Sequence, residues 1–492
     1  MMLEKSHRRY VAWGGGEVSV SLRWGNGAGV TAAAIAVAVL FCQPALANTL
    51  EAALAYAYVN NPQLNAQRAL VRATDEGVPT ALSGYRPKAS ATANVGVQSL
   101  STTIREIGST TAPGSPASYF TQSGVNAPHG IGATVTQNVL NGFQTANRTR
   151  QAESQVFAAR ETLRGIEQTV LLNAATAYMN LLREAGILEL QRSYLDVQTE
   201  QLRQTNQRLQ SGNVTATDVS QSEARLNVSR TQLFAAEANY GSARAVYRQV
   251  IGLEPGKLAP AAPVDRFTPG TLPAAIAAGT AQNPAVTTAQ HNVDIATHQV
   301  KVAEGALYPI VSLQGSVQKS YETALNSLES FTASGVAQLT VPIYQGGAEY
   351  AAIRQAKETQ GQKQLDLSVA RDQARMTVAQ AWAQLEAAKS SIESTQNQVK
   401  SAEAALNGVR EEARLGQRTT LDTLNAQQEL LSARISMVVA QRDRLVNSYG
   451  LLAAIGRLAP QVLGLPVANY DPQVHYHQIR DAWTGLRTPN GR

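Results

Sequence analysis

The chain has few charged residues, few aromatic residues and almost no cysteine. Of its 492 residues, 16% are Asp, Glu, Lys or Arg, 5% are Phe, Trp or Tyr, and one is cysteine, Cys42. A single cysteine excludes a disulfide framework and cysteine-based metal sites within the chain. The net charge of +6 comes without a cluster of Lys and Arg interleaved with aromatic residues, so no nucleic-acid partner is expected.

Long hydrophobic runs are also scarce. Val30–Cys42 is an apolar run of 13 residues, too short to span a membrane comfortably, and no later segment has 18 consecutive apolar residues. Arginines precede this run and the sequence ALA follows it at 45–47, which predicts a signal peptide over residues 1–47. Cys42 raises a lipoprotein as an alternative, although the bulky Phe41 before it fits a lipidation site poorly. An exported chain of this kind is periplasmic, secreted, or a β-barrel of the outer membrane.

The sequence repeats itself. Thr49–Leu64 (TLEAALAYAYVNNPQL) matches Thr271–Val286 (TLPAAIAAGTAQNPAV) at an offset of 222 residues, and Val139–Phe143 (VLNGF) matches Ile343–Gly347 (IYQGG) at an offset of 204. The offset falls by 18, so the first copy carries an insertion. Leu100–Gly124 is rich in Thr, Ser, Gly and Pro and is expected to be that loop.

This duplication predicts the domain organisation. After the signal peptide, residues 48–270 form a first structural repeat, residues 271–460 form a second, and residues 461–492 form a C-terminal tail without periodicity. We expect this tail to lie on the protein body or to be disordered.

Each repeat begins with helix and continues with strand. Helical segments are predicted at about 49–82 and 272–306. Alternation of apolar and polar residues then predicts two strands per repeat. These four strands are expected within Pro87–Gln98, Gly132–Leu140, Pro309–Ser320 and Ser334–Tyr344. Because proline cannot donate to a ladder, Pro342 is expected near the end of the last strand.

A long helix follows the strands in each repeat. Apolar residues recur every seven positions from Leu181 to Leu209 and from Val378 to Leu406, which is typical of a coiled coil. The predicted helices run from about 144 to 210 and from about 348 to 414, and at 1.5 Å per residue each is roughly 100 Å long. Return helices of about half that length are predicted at 216–250 and 420–455.

Two similar turns separate the long helices from the return helices. Ser211–Ser220 (SGNVTATDVS) and Leu415–Leu424 (LGQRTTLDTL) align at the 204-residue offset. The two turns are therefore predicted to mark one end of a long antiparallel body, with the strands at the other end.

The number of strands indicates an assembly. Four strands cannot close a barrel, and an open sheet in lipid would leave the backbone groups at its edges without partners. Three chains would supply 12 strands and enclose water. The predicted fold class is therefore mainly α with a membrane β-barrel portion: duplicated strand–strand–long helix units in a trimer, with a periplasmic α-helical barrel continuing the β-barrel. An ordinary coiled-coil stalk is the alternative, but it accounts for neither the strands nor the duplicated order.

In this order of motifs the sequence resembles the TolC-like family of outer-membrane efflux and secretion channels. The resemblance covers about residues 49–458. It depends on NNPQL and QNPAV, GYRPKAS and ALYPIVS, VLNGF and IYQGG, and the tip sequence from Arg414 to Asp422. It implies a homotrimeric exit duct in the outer membrane of a Gram-negative bacterium, with most of its mass in the periplasm. It also implies a periplasmic adaptor and an inner-membrane transporter as partners, and neither catalysis nor a cofactor.

The resemblance also implies a gate at the periplasmic tip. Asp422 matches the position of an acidic ring at the narrowest point of the channel. Asn425 matches a second ring that is acidic in some members, so one ring of three carboxylates is expected here. Three neighbouring carboxylates would raise one another's pKa and favour cations at the entrance.

Other tip residues are implied to form a latch and a docking surface. Arg418 matches the family's tip arginine, with Thr217 and Asp218 as its partners in a link that would hold the closed state. The adaptor is expected to contact the tips themselves, at Arg414, Leu415, Gly416, Ser211 and Gly212.

The histidines do not indicate a metal centre. His291 and His298 are seven residues apart, and His475 and His477 lie in the tail, without cysteine or carboxylate at metal-ligand spacing. We expect them to be solvated. Besides a coiled-coil stalk, a periplasmic adaptor with a helical hairpin is the competing functional interpretation, but it would lack membrane strands.

Overall fold

The computed structural model describes residues 49–105, 119–323 and 328–489. The predicted signal peptide, Cys42 and the middle of the predicted insertion lie outside these residues. The described helices are α1 (Leu50–Asn60), α2 (Pro62–Asp75), α3 (Gly77–Leu82), α4 (Gln144–Gln210), α5 (Ala216–Ile251), α6 (Leu272–Gln282), α7 (Pro284–Glu304), α8 (Ala348–Arg414), α9 (Thr420–Ile455), α10 (Pro460–Leu463) and α11 (Pro472–Ile479). The strands are β1 (Lys88–Val95), β2 (Gln98–Arg105), β3 (Tyr119–Asn126), β4 (His129–Asn141), β5 (Ile310–Tyr321) and β6 (Glu329–Thr340).

The long helices are where the heptad pattern predicts them. Both α4 and α8 have 67 residues, and the return helices α5 and α9 have 36 each. The element order of the first half, helices then strands then a long and a short helix, recurs in the second half. These predictions of helix type and extent are confirmed.

One antiparallel sheet combines strands from both halves of the chain. Its order is β1-β4-β5-β6, so β4 and β5 are central and β1 and β6 are edges. β6 ends at Thr340, two residues before Pro342, which confirms that this proline does not occupy a central position of the strand. The strand begins and ends earlier than Ser334–Tyr344, the range that alternation predicted. It starts at Glu329 because it pairs with β5 along the whole length of that strand, and it ends early because the ladder stops before the proline.

The sheet has one apolar and one polar face. Successive side chains of a strand point to opposite faces, and the register places odd-numbered residues of all four strands on the same face, up to an irregularity after Asn138 of β4. That face carries the exposed apolar side chains Ile131, Leu313, Val317, Phe331 and Leu339. The other face carries mainly Ser, Thr, Asn and Gln; its residues include Ser90, Thr92, Asn94, Thr134, Thr136, Gln314, Ser316, Gln318, Ser334 and Gln338.

The predicted insertion is not simply a loop. Its two flanks form β2 and β3, which pair with each other as an antiparallel ladder. This ladder extends the β1–β4 hairpin, since the amide of Gly96 donates to the carbonyl of Pro128 over 2.9 Å. The prediction was wrong because Thr and Ser residues, which are common in loops, lie in paired strands here. The hydroxyls of Thr103 and Thr121 share a cross-strand hydrogen bond of 2.8 Å.

The half-length helices lie along the long ones. α4 packs against α5 and α7 and also against α2, while α8 packs against α9 and α7. α9 also packs on α4 and thereby joins the two halves of the chain. These contacts confirm the prediction that two shorter helices together lie along one long helix.

Two Asn-Pro sequences form the joints between the shorter helices. The side chain of Asn61 caps α2 and donates to the carbonyl of Val250, in the last turn of α5. Asn283 caps α7 and donates over 3.0 Å to the carbonyl of Ala454, in the last turn of α9. The asparagine therefore fixes the start of one helix to the end of another, which explains why NNPQL and QNPAV recur.

The largest apolar core surrounds the middle of α4. It includes Leu171, Tyr178, Tyr247 and Leu452, contributed by α4, α5 and α9. The hydroxyl of Tyr178 donates to the carbonyl of Ala259 over 2.7 Å and holds the linker between the halves against this core. None of the described helices is long and apolar enough to cross a bilayer.

The C-terminal segment, residues 461–489, lies on the protein body, as one of the two expectations had it. It contains the end of α10 and all of α11, and α11 packs on α2. One expectation was wrong here: His475 is buried rather than solvated, and its Nδ1 lies 3.0 Å from Oδ2 of the fully buried Asp75. His477 is exposed as expected.

Polar residues take over the buried stripe of α4 towards the turns. Leu181 and Leu188 are buried, but Leu195 and Leu202 are only half-buried and Leu209 is exposed. The buried positions in this stretch instead include a second seven-residue series, Glu184, Gln191, Gln198 and Thr205. Gln198 donates its amide to Oε1 of Gln427 on α9 over 2.9 Å.

Candidate functional site

The two turns that join the long and return helices have the same backbone. Gly212 and Gly416 have φ of +75° and +77°, in the left-handed region that glycine enters without strain. The next amides, of Asn213 and Gln417, donate over 2.9 Å to the carbonyls of Arg208 and Glu412, five residues earlier. These bonds close both long helices.

Each return helix then begins with a capping box. The hydroxyls of Thr215 and Thr419 accept from the amides of Asp218 and Asp422, whose carboxylates accept from the threonine amides at 2.9 and 3.0 Å. The shared pattern G-x-x-T-x-x-D therefore has a structural role in both copies. A threonine three residues before an acidic residue is the sequence signal for these caps, and it was missed.

The cap also sets the charge of Asp422. Hydrogen bonds from the backbone and side chain of Thr419 hold the pKa of Asp422 below its usual range. Bonds from Thr215 lower the pKa of Asp218 in the same way. Within one chain the cap therefore lowers the pKa of Asp422, whereas mutual repulsion in a ring of carboxylates would raise it.

Asn425 lies one turn along α9 and contacts the other half of the chain. Its amide oxygen accepts from the guanidinium of Arg225 on α5 over 2.9 Å. Arg225 was not singled out from the sequence, because no local pattern links two residues that are 200 positions apart. The contact joins the two return helices beside the predicted constriction.

The predicted latch is not formed within this chain. Nε of Arg418 lies 2.8 Å from a carboxylate oxygen of Glu412, an exposed ion pair on the same turn. Asp218 is engaged with Thr215, and Thr217 is exposed. Arg418 thus pairs with Glu412 because this carboxylate lies six residues away on the same turn, whereas Asp218 belongs to the other turn.

A cleft of about 1030 Å³ lies between the two turns. Its lining includes Asp218 and Arg418 from the predicted latch, and Arg414 and Gly416 from the predicted docking surface. Four acidic and four basic residues line it: Asp196, Glu200, Asp218, Glu411, Arg208, Arg410, Arg414 and Arg418. Residues of opposite charge therefore line the same open cleft, where exposed ion pairs exchange partners at small cost.

The outermost part of the turns is exposed. Leu415 is 75% exposed, an unusual position for a leucine, and Ser211, Gly212, Arg414 and Gly416 are exposed beside it. Arg414 makes only an exposed ion pair with Glu411 of its own helix. The described residues contain no group of three or more His, Cys, Asp or Glu arranged to hold a metal ion.

Comparison with known proteins identifies the family. Residues 53–253 and 277–457 each match the profile of the family described as "Outer membrane efflux protein", so each half of the chain matches once. The chain is 40% identical to the outer membrane efflux protein BepC of Brucella suis biovar 1 (strain 1330), over 92% of this chain and 95% of BepC. It is 27% identical to the outer membrane protein TolC of Escherichia coli (strain K12), over 70% of this chain and 74% of TolC.

Solved structures show the same fold. The CmeC outer membrane channel of Campylobacter jejuni superposes with a TM-score of 0.70 at 16% identity, over 88% of this chain and 89% of that one. The chain belongs to the outer membrane efflux protein family. It is a protein of the outer membrane in a TolC-like transport family, as the sequence predicted.

Proposed function

We propose that three copies of this chain form a passive exit duct across the outer membrane. The sheet supports this proposal most directly. It has one apolar and one polar face, and among the described residues no strand pairs with the outer edge of β1 or of β6. Pairing β6 of each copy with β1 of the next removes all edges and gives 12 strands. The apolar face then meets lipid and the polar face meets water.

The long helices would continue this duct into the periplasm. Their ends carry the exposed docking surface, Leu415 with Arg414, Gly416, Ser211 and Gly212, which we assign to a periplasmic adaptor. An inner-membrane transporter would supply the energy, in a tripartite efflux system or a type I secretion system. The chain itself would carry out no catalysis and need no cofactor. In this proposal residues 1–47 are removed on export, and residues 48–270 and 271–460 are the two structural repeats.

The tips would form the gate. Three copies of Asp422 surround the constriction, and Asn425 adds a ring of amides one turn further along α9. In the closed state Arg418 would leave Glu412 for Asp218, since both Arg418 and Asp218 line the same cleft. Thr217 lies next to Asp218 and would take part in the same latch.

Two measurements test the duct. Purified protein should migrate as a trimer in detergent without heating and as a monomer after heating, and it should conduct ions in a planar bilayer. A monomer that is soluble without detergent and does not conduct would contradict the proposal.

A matched pair of variants tests the gate. Asp422→Asn should reduce the preference for cations over anions, measured as the reversal potential in a salt gradient. Asp218→Asn is the control, because Asp218 has the same capping-box geometry but lies outside the proposed ring. It should change how often the channel opens and leave ion selectivity as it is. Equal selectivity of Asp422→Asn and the unmodified protein would remove Asp422 from the constriction.

A further inference from the structure

The C-terminal segment follows the course of α2. The amide of Tyr470 donates to the hydroxyl of Tyr58, a residue in the last turn of α1 close to the joint with α2. Further along the segment, His475 contacts Asp75 at the end of α2. Later residues of the segment thus contact later residues of α1 and α2, so the segment runs parallel to these helices, towards β1. These two contacts bury polar groups, which fixes the path of the segment on the protein surface.

A third contact brings the segment to the foot of the sheet. Arg86 lies two residues before the first residue of β1, Lys88. Its guanidinium donates over 2.7 Å to the carbonyl of Ala482 and lies 4.7 Å above the ring of Trp483. Trp483 is nevertheless 67% exposed, and Leu486 is fully exposed three residues later. Arg86 therefore holds Trp483 beside the sheet, and the described residues leave both Trp483 and Leu486 uncovered.

The surroundings of Trp483 share this character. Tyr85, Phe143 and Tyr308 are exposed at the same end of the sheet, where the strands meet the helices. The carbonyl of Tyr85 accepts from the side chain of Gln137 on β4, and Tyr308 lies against Gly142 at the end of that strand. Aromatic residues concentrate at the level where a membrane protein leaves the hydrocarbon for water.

Basic side chains accompany the apolar ones. Arg86 lies just before β1 and Lys88 begins it, and Arg480 and Arg487 flank Trp483 in the segment. Arg480 also forms an ion pair with Glu153 over 3.6 Å, so Arg487 and Lys88 are the cations left for phosphate. Asp481 is the acidic residue between Arg480 and Trp483. Tryptophan with nearby arginine and lysine matches the phospholipid headgroup layer, where the indole sits between hydrocarbon and water and the cations meet phosphate.

We propose that the C-terminal segment is a peripheral lipid anchor, in which Trp483 and Leu486 enter the headgroup layer of the periplasmic leaflet beside the foot of the sheet. The partner is a phospholipid surface. The anchor adds a lipid contact outside the strands, and it would resist tilting of the helical part relative to the membrane.

The tryptophan content of the chain allows a direct test. Of the four tryptophans, Trp13 and Trp24 lie in the predicted signal peptide, which leaves Trp382 and Trp483. Trp382 packs against an apolar cluster of α6, α8 and α9 and lies 34 residues from the start of α8, about 50 Å along that helix. Trp382→Phe therefore isolates Trp483, and Trp483→Phe isolates a tryptophan distant from the membrane.

Both variants are reconstituted as full chains into phosphatidylglycerol-containing vesicles with lipids brominated near the headgroup. Emission of the Trp382→Phe variant should fall by about half or more relative to unbrominated vesicles, and emission of the Trp483→Phe variant should stay unchanged. Equal emission of Trp382→Phe in both vesicles would overturn the anchor. Blue-shifted emission without quenching would also overturn it, since protein would then cover the ring.

Cysteine labelling provides a second measurement that keeps both tryptophans. The only cysteine, Cys42, lies in the predicted signal peptide, so Leu486→Cys can be labelled specifically with an environment-sensitive dye. Val474→Cys is the matched control, because Val474 is 55% exposed in the same segment but lies near the end of α2. The dye should report an apolar environment only at position 486, and identical spectra at both positions would contradict the proposal. Conductance of these variants is measured in parallel, so that loss of the anchor is distinguished from failure of the duct.

Discussion

Gly456 provides a quantitative test of how the helices are joined end to end. It ends α9 with φ of +89°, and a Cβ built there would lie 2.4 Å from the carbonyl oxygen of Gln282 and 2.8 Å from Cα of Asn283. Gly252 ends α5 in the first half with nearly the same φ, +92°, but the nearest atom to its Cβ is Cε1 of Tyr56 at 3.4 Å. The two glycines thus share a backbone conformation and differ in how closely the next backbone approaches.

Alanine at either position should cost about 1–2 kcal/mol for the left-handed conformation alone. Gly456→Ala must also displace backbone atoms of the Asn-Pro joint, and overpacking of this kind adds about 1–3 kcal/mol. Since 1.4 kcal/mol corresponds to a factor of ten, local opening at this joint should become roughly 5 to 150 times more frequent than in Gly252→Ala.

Hydrogen–deuterium exchange measures these openings in the detergent-solubilised protein. In Gly456→Ala, exchange of the amides in residues 279–287 should accelerate relative to the unmodified protein. This acceleration should exceed that of the corresponding amides 57–65 in Gly252→Ala by roughly 5 to 150 times. Equal acceleration in the two variants would show that the close approach at Gln282 contributes nothing to the joint.

Three further predictions concern the tip, the buried glutamines and the C-terminal segment. Because the cap lowers the pKa of Asp422, its charge should persist as the pH falls towards the usual titration range of an aspartate, so cation selectivity should stay constant from pH 7 to pH 5. A decline above pH 5 would mean that repulsion within the ring outweighs the cap. Gln427→Leu should destabilise the protein by about 1–3 kcal/mol because it leaves the buried amide of Gln198 without its partner, and adding Gln198→Leu should recover most of this loss in thermal melts; additive losses would contradict the pairing. His475→Ala should speed proteolysis of the C-terminal segment because the buried carboxylate of Asp75 loses its imidazole partner, whereas the exposed His477→Ala should not. Equal rates would show that the contact between His475 and Asp75 does not hold the segment in place.

The long helices were predictable because their signals are local and repeated. A heptad pattern and the absence of proline determine α4 and α8, and glycines mark both of their ends, as at Gly142 and Gly212. The strands were predictable in number for the four-stranded sheet but not in extent. β2 and β3 consist largely of polar residues with little alternation, and their pairing depends on the ladder that β1 and β4 begin.

The candidate site was only partly accessible from the sequence. The positions of Asp422 and Asn425 followed from the resemblance, but Arg225 contacts Asn425 across 200 residues and His475 contacts Asp75 across 400. Such contacts arise from packing between distant elements, which periodicity does not encode. The pairing of Arg418 with Glu412 was missed for a different reason: the tight turn brings a nearer carboxylate to the arginine than the one expected.

The buried polar series Glu184, Gln191, Gln198 and Thr205 makes the two ends of α4 differ in how much free energy it costs to separate them from their neighbouring helices. On the strand side of Leu181 the contact between α4 and its neighbouring helices is an apolar core, and separating these helices would expose leucine and tyrosine side chains at high cost. Towards the turns the buried side chains include amide and hydroxyl groups, which exchange a protein partner for water at little net cost, and only a few apolar side chains of α4 such as Leu188 and Tyr194. In the proposed duct, separation of the helices that starts at the turns should therefore cost little until it reaches the buried Tyr194 and Leu188, and the apolar core beside Leu181 should stay closed.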